Sequence, residues 1–172
     1  MQFLIWIMIL VMIIVATHFD IKSGKIPNSF NLTFGIIGIT TAIWLAGEKG
    51  LLNSLAGIVI PVIILMPLFT LRVIGAGDIK LISAVGAFLG TKVCLVVIYS
   101  FLSCGVYGLG LMIVRLIRGV KERERIKVWA LNLVSGNINF IKNKKYTKVA
   151  FSVFVLWGVV IYMLRHGEVL FT

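Results

Sequence analysis

The chain has 172 residues, 60% of them hydrophobic and 13% charged, which excludes a soluble domain of ordinary composition, where about a quarter of residues carry charge. A formal net charge of +11 would favour a nucleic-acid partner in a soluble protein, but basic groups beside membrane segments report topology instead. The expectation is an all-α, polytopic protein of the lipid bilayer with no nucleic-acid partner.

A crossing helix needs about 20 mainly apolar residues to span about 30 Å of hydrocarbon. Six segments fit that ruler, running from about Gln2 to Phe19, Phe30 to Ala46, Leu51 to Leu71, Asp78 to Leu89, Val93 to Val114 and Val149 to Leu164. The first has no basic residue ahead of its apolar run and no small-residue cleavage pattern before Asp20, so it reads as a retained crossing rather than a signal peptide. Gly24 and Pro27 bound a turn, with Asn28 or Ser29 expected to cap the second helix. The fourth and fifth segments form one apolar run, at about 1.5 Å per residue too long for a single crossing. Gly90-Thr91-Lys92 is the expected break. Cys94 and Cys104 lie in apolar surroundings without Cys-x-x-Cys spacing and read as buried free thiols.

The basic residues then sort by side. Six crossings put fourteen of the seventeen on one face, among them Lys22, Lys25, Arg72 and Lys80, and leave Lys49, Lys92 and Arg165 on the other. Cytoplasmic connections carry the excess, so both termini are expected outside and the protein in the cytoplasmic membrane. The longest connection, about 115–148, holds ten of the basic residues and reads as a solvated cytoplasmic segment of one membrane-embedded domain, 1–172. Within it Ile126, Trp129 and Leu133 suggest a short amphipathic helix at the headgroups.

Asp20 and Asp78 are the chain's two aspartates, and both fall at cytoplasmic ends of their segments. An ionisable residue at membrane depth is costly, which makes it a functional candidate. Two carboxyl groups sharing one proton can hydrolyse a peptide bond without a metal or cofactor: one takes a proton from the attacking water, the other donates to the developing oxyanion. Like charges held close in a poorly solvated site favour such sharing. A fourth helix of about 12 residues covers only about 18 Å, so Asp78 is expected to lie several ångströms below the cytoplasmic surface, in a site reached by water. Gly75 and Gly77 would allow close approach of a backbone or simply pack helix on helix. Lys80 reads as a snorkelling residue, His18 as an interfacial one, and His166 lies on the opposite side.

Asp20 with Ile26-Pro27-Asn28, followed by Gly75-Ala76-Gly77-Asp78-Ile79-Lys80-Leu81, resembles the two signature motifs of type IV prepilin peptidases, intramembrane aspartic proteases. The resemblance implies that Asp20 and Asp78 are the catalytic pair, with Ile26, Pro27, Asn28, Gly75, Gly77 and Lys80 supporting them. It implies an endopeptidase that removes a short basic leader from prepilin, pseudopilin or preflagellin substrates at the cytoplasmic face. Long members of that family carry a cysteine-bearing cytoplasmic region and also methylate the new N-terminus. That region has no counterpart in this sequence, so a compact, peptidase-only member is implied, like those of tight-adherence pilus systems or the archaeal preflagellin peptidases. The alternatives are a small proton-coupled transporter using the two aspartates as a relay, against which there is no internal repeat, and a non-catalytic membrane scaffold.

Overall fold

The computed structural model of the protein describes residues 2–24, 26–117 and 151–166. Among them every regular element is helical: α1 (Gln2–Ser23), α2 (Asn28–Thr70), α3 (Ala76–Leu89), a 3-10 turn (Gly90–Lys92), α4 (Val93–Ile117) and α5 (Phe151–His166). Phe3–Ser23, Asn28–Thr70 and Ala76–Val114 are long and apolar enough to cross a membrane, and Phe151–His166 is a shorter apolar helix. The basic connection and the amphipathic segment expected near Trp129 lie outside the described residues. The chain divides into two compact units, 1–104 with 150–172 and 105–149. Every site residue discussed below belongs to the first.

A helix that is apolar all round belongs in a membrane or a large core, and α1 is of that kind. Ile5, Trp6, Ile9, Met12, Ile13 and Ala16 are buried, while Phe3, Leu4, Ile7, Val11 and Ile14 are exposed on its other face. The exposed apolar face suits lipid.

Helix α2 is 43 residues long but is not one rod. Ala46 (φ −138°, ψ 15°) and Gly47 (φ 55°, ψ −133°) break it, and the two limbs meet α3 in opposite directions. In the first limb Asn28 is bonded to Lys80 and Gly38 lies against Ala87 and Phe88, so the limb runs parallel to α3. In the second, Asn53 accepts from the Thr91 N–H, Ser54 Oγ donates to the Ala87 carbonyl and Gly57 lies against Gly86, an antiparallel order. The expected connection between Ala46 and Leu51 is therefore narrower than the sequence suggested. Glu48 and Lys49 are already helical, and Gly50 packs onto the Ala42 carbonyl because it has no side chain to obstruct it.

Helix α3 is the centre of the unit, buried continuously from Leu81 to Leu89. It starts two residues earlier than expected, at Ala76, and has 14 residues, about 21 Å at the α-helical rise. The break at Gly90 is where the sequence placed it: Gly90 has φ 56°, a left-handed conformation that glycine adopts without steric cost. Helix α5 runs antiparallel to α1, with Ser152 beside Thr17 and Asp20 at one end and Tyr162 against Trp6 at the other.

Two local expectations need correction. Asp20 does not follow the first helix but lies inside its last turns, since α1 continues to Ser23, and Gly24 (φ 64°) ends it, its N–H donating to the Asp20 carbonyl at 2.8 Å. Neither Asn28 nor Ser29 caps α2. Pro27 occupies the N-cap without a side-chain bond, because the Asn28 side-chain oxygen accepts from Lys80 instead.

Candidate active site

Asp20 follows Ala16 by one turn on the inward stripe of α1, which runs through Ile5, Ile9, Met12 and Ala16. Residues four apart share a helix face, so the periodicity that packs α1 also turns the carboxylate inward. Asp20 is half-buried. Its Oδ2 accepts from the hydroxyl of Ser152 on α5 at 2.8 Å, and Ser152 is fully buried.

Asp78 stands in the first turn of α3. The Gly75 N–H donates to its Oδ2 at 3.3 Å, while the Asp78 N–H donates to the Gly75 carbonyl at 3.1 Å. A carboxylate here relieves one of the unpaired N–H groups at a helix start and meets the positive end of the dipole.

Asp20 and Asp78 both line one open cavity of about 680 Å³, together with Ser23, Gly24, Ile26, Pro27, Asn28, Gly75, Ala76, Gly77 and Lys80. All eight residues singled out in the sequence are thus on its wall. Lys80 is exposed, and its Nζ donates to Asn28 Oδ1 at 2.9 Å, so the expected snorkelling side chain is tied across the cavity rim. His18 is exposed and does not line the cavity; two residues from Asp20, it lies on another face of α1. His166 stacks on Tyr99 and Tyr162, at the end of α5 remote from Ser152. Cys94 and Cys104 are free but only partly buried, a correction to the expected full burial. Among the described residues no three His, Cys, Asp or Glu side chains gather as a metal set.

The glycines of the second motif are not conformationally strained. Gly75 has φ −79° and ψ 150°, an extended conformation open to any residue. A Cβ at Gly77 would stop 4.0 Å from Ile26, ordinary contact. Tight helix packing falls instead to Gly38, Gly57, Gly86 and Gly158. Ser152 carried no signal in the sequence: it is one serine in an apolar segment, and only the fold brings it to Asp20.

A family model of the type IV leader peptidase family matches residues 6–109, more than half of the chain. The chain belongs to the type IV leader peptidase family. Asp20, Asp78 and the whole cavity wall fall inside the matched region, whereas Ser152 falls outside it. No curated protein and no solved structure matches the chain significantly. Membership makes the protein a peptidase of the membrane and gives the cavity a reaction to be read against.

Proposed function

We propose that this protein is an intramembrane aspartic endopeptidase that removes the short basic leader of prepilin-like proteins at the cytoplasmic face of the cytoplasmic membrane, with Asp20 and Asp78 as its catalytic pair. The observation that carries this reading is the convergence of the two aspartates, from helices 58 positions apart in sequence, on one cavity wall. The two limbs of α2, the break at Gly90 and the antiparallel α1 and α5 support six crossings, and the division of the basic residues, fourteen to three, supports both aspartates at the cytoplasmic end and both termini outside. A compact peptidase without methyltransferase activity is the form proposed.

In the reaction, the pair holds one proton. The ionised carboxylate takes a proton from water as the water oxygen bonds to the scissile carbonyl carbon, and the protonated partner donates to the carbonyl oxygen. A neutral diol results. The first carboxyl then passes its proton to the amide nitrogen, the C–N bond breaks, and one diol hydroxyl returns a proton to the second carboxylate. The products are a carboxylic acid and an amine, and the pair again holds one proton. Substrate enters between α1 and α3, where Gly75 and Gly77 leave the wall free of side chains and Lys80 and Asn28 bound the far rim.

The test is cleavage of a prepilin-like peptide by the purified protein in detergent, comparing the wild type with Asp20→Asn and Asp78→Asn separately. Both substitutions should abolish cleavage while each variant remains folded. Cleavage surviving either one rejects the pair, and proton-coupled transport without cleavage would favour the relay reading.

A further inference from the structure

We propose that Ser152 is a positioning residue for Asp20, the third member of the site and one supplied by α5. This rests on the reading of Asp20 as half of the catalytic pair. The Ser152 hydroxyl donates to Asp20 Oδ2 at 2.8 Å from a fully buried position. That contact spans 132 positions in sequence and joins the last turns of α1 to the first turn of α5.

The geometry has a chemical consequence. A carboxylate on a helix end can rotate about χ1 and χ2, and proton transfer falls off sharply once the accepting oxygen leaves hydrogen-bond reach of the water. Fixing Oδ2 on a buried hydroxyl removes that rotation and leaves Oδ1, which has no protein hydrogen-bond partner among the described residues, as the oxygen available for the reaction on a residue that lines the cavity with Asp78. Asp78 is fixed differently, through the Gly75 N–H on its own helix. Each acid therefore has one oxygen held and one available, and the holding groups come from different elements, α5 for Asp20 and the start of α3 for Asp78.

A second contact on the same seam separates positioning from simple packing. Thr17 Oγ1 donates to the Ser152 carbonyl at 3.5 Å, fastening α1 to α5 without touching the Asp20 carboxylate. If Ser152 only held the helices together, weakening either contact would have similar effects.

The experiment compares kcat and KM for peptide cleavage by the full-length protein in detergent for Ser152→Ala, Ser152→Thr and Thr17→Val, with Asp20→Asn and Asp78→Asn assayed beside them. Thermal midpoints are recorded for each. Ser152→Ala should lower kcat by about 10- to 100-fold, the range for losing a hydrogen bond to a charged group, with KM within about twofold because no substrate contact is removed. Ser152→Thr, which keeps the hydroxyl, should recover most of kcat, and Thr17→Val should stay within about twofold of wild type. A wild-type kcat in Ser152→Ala overturns the proposal while leaving the pair intact, provided the aspartate variants are dead. Equal losses in Ser152→Ala and Thr17→Val, tracking their thermal midpoints, also overturn it in favour of packing. Cleavage by either aspartate variant overturns the catalytic pair and this proposal together.

Discussion

Gly57 and Gly86 meet with no side chain between them: a Cβ on either residue would collide with the carbonyl oxygen of the other. Small residues let membrane helices approach closely enough for backbone contact, and here the contact fixes the second limb of α2 against α3. The collisions are with backbone, which cannot rotate out of the way as a flexible side chain would. Gly86→Ala should lower stability by about 1–3 kcal/mol, the usual cost of overpacking, read as the thermal midpoint in detergent. Gly35→Ala is the control, since nothing lies within 4 Å of a Cβ at that position. Equal midpoints for the two variants would mean that the helices are not held at this distance.

The motif glycines call for the opposite result. At Gly77 a Cβ would reach only ordinary contact with Ile26, and alanine in a helix is favoured over glycine by about 0.5–1 kcal/mol. Gly77→Ala should therefore keep or raise the thermal midpoint while reducing peptide cleavage, because the added methyl projects from a cavity wall that the resting fold does not need to keep bare. A fall in stability would assign the glycine to packing. Unchanged cleavage would remove the substrate from this part of the wall.

These two cases mark how far the sequence could be read. The Gly90 break and the short α3 follow from the length of the apolar run, whereas the inward face of α1 could not be read from a helix that is apolar on every side; only the packing marks the stripe through Ile9, Met12 and Ala16 that carries Asp20. What sequence alone could not divide was the role of the glycines, since Gly77 and Gly86 are the same residue until the neighbouring helix is in place. The reversal between Ala46 and Leu51 was legible, but its narrowing to Ala46 and Gly47 was hidden for a related reason: it comes with Gly50 packing against Ala42, a contact across the turn. Asn28 looked like a cap because its partner, Lys80, is 52 positions away.

Arg72 carries a conformation better suited to glycine. Its φ is 57°, and the Arg72 and Val73 N–H groups donate to the carbonyls of Phe69 and Leu68, both at 2.9 Å. This is the paired pattern that ends a helix through a left-handed residue, and a non-glycine residue there costs roughly 1–2 kcal/mol. Arg72→Gly should raise the thermal midpoint in detergent, by somewhat less than that strain because glycine loses more backbone freedom on folding. A lowered midpoint would show that the exposed arginine side chain contributes more than its backbone conformation costs.

The depth of the site gives the last prediction. Asp78 is the third residue of a helix of 14 residues, about 21 Å long against a hydrocarbon thickness of about 30 Å. If the Lys92 end of the following turn sits at one interface, as a short crossing requires, the other end of α3 stops short of the opposite one. Lys22 is exposed in the last turn of α1, whereas Asp78 is half-buried. With Cys94 and Cys104 replaced by alanine, cysteine introduced by Asp78→Cys should react with a membrane-impermeant maleimide roughly tenfold more slowly than cysteine introduced by Lys22→Cys, the rate being limited by water-filled access to the cavity. Both should react from the cytoplasmic side of inverted vesicles and neither from the outside of intact cells. Equal rates would place the aspartate at the surface, and labelling of the two from opposite sides would separate the carboxylates across the bilayer and end the case for a shared proton.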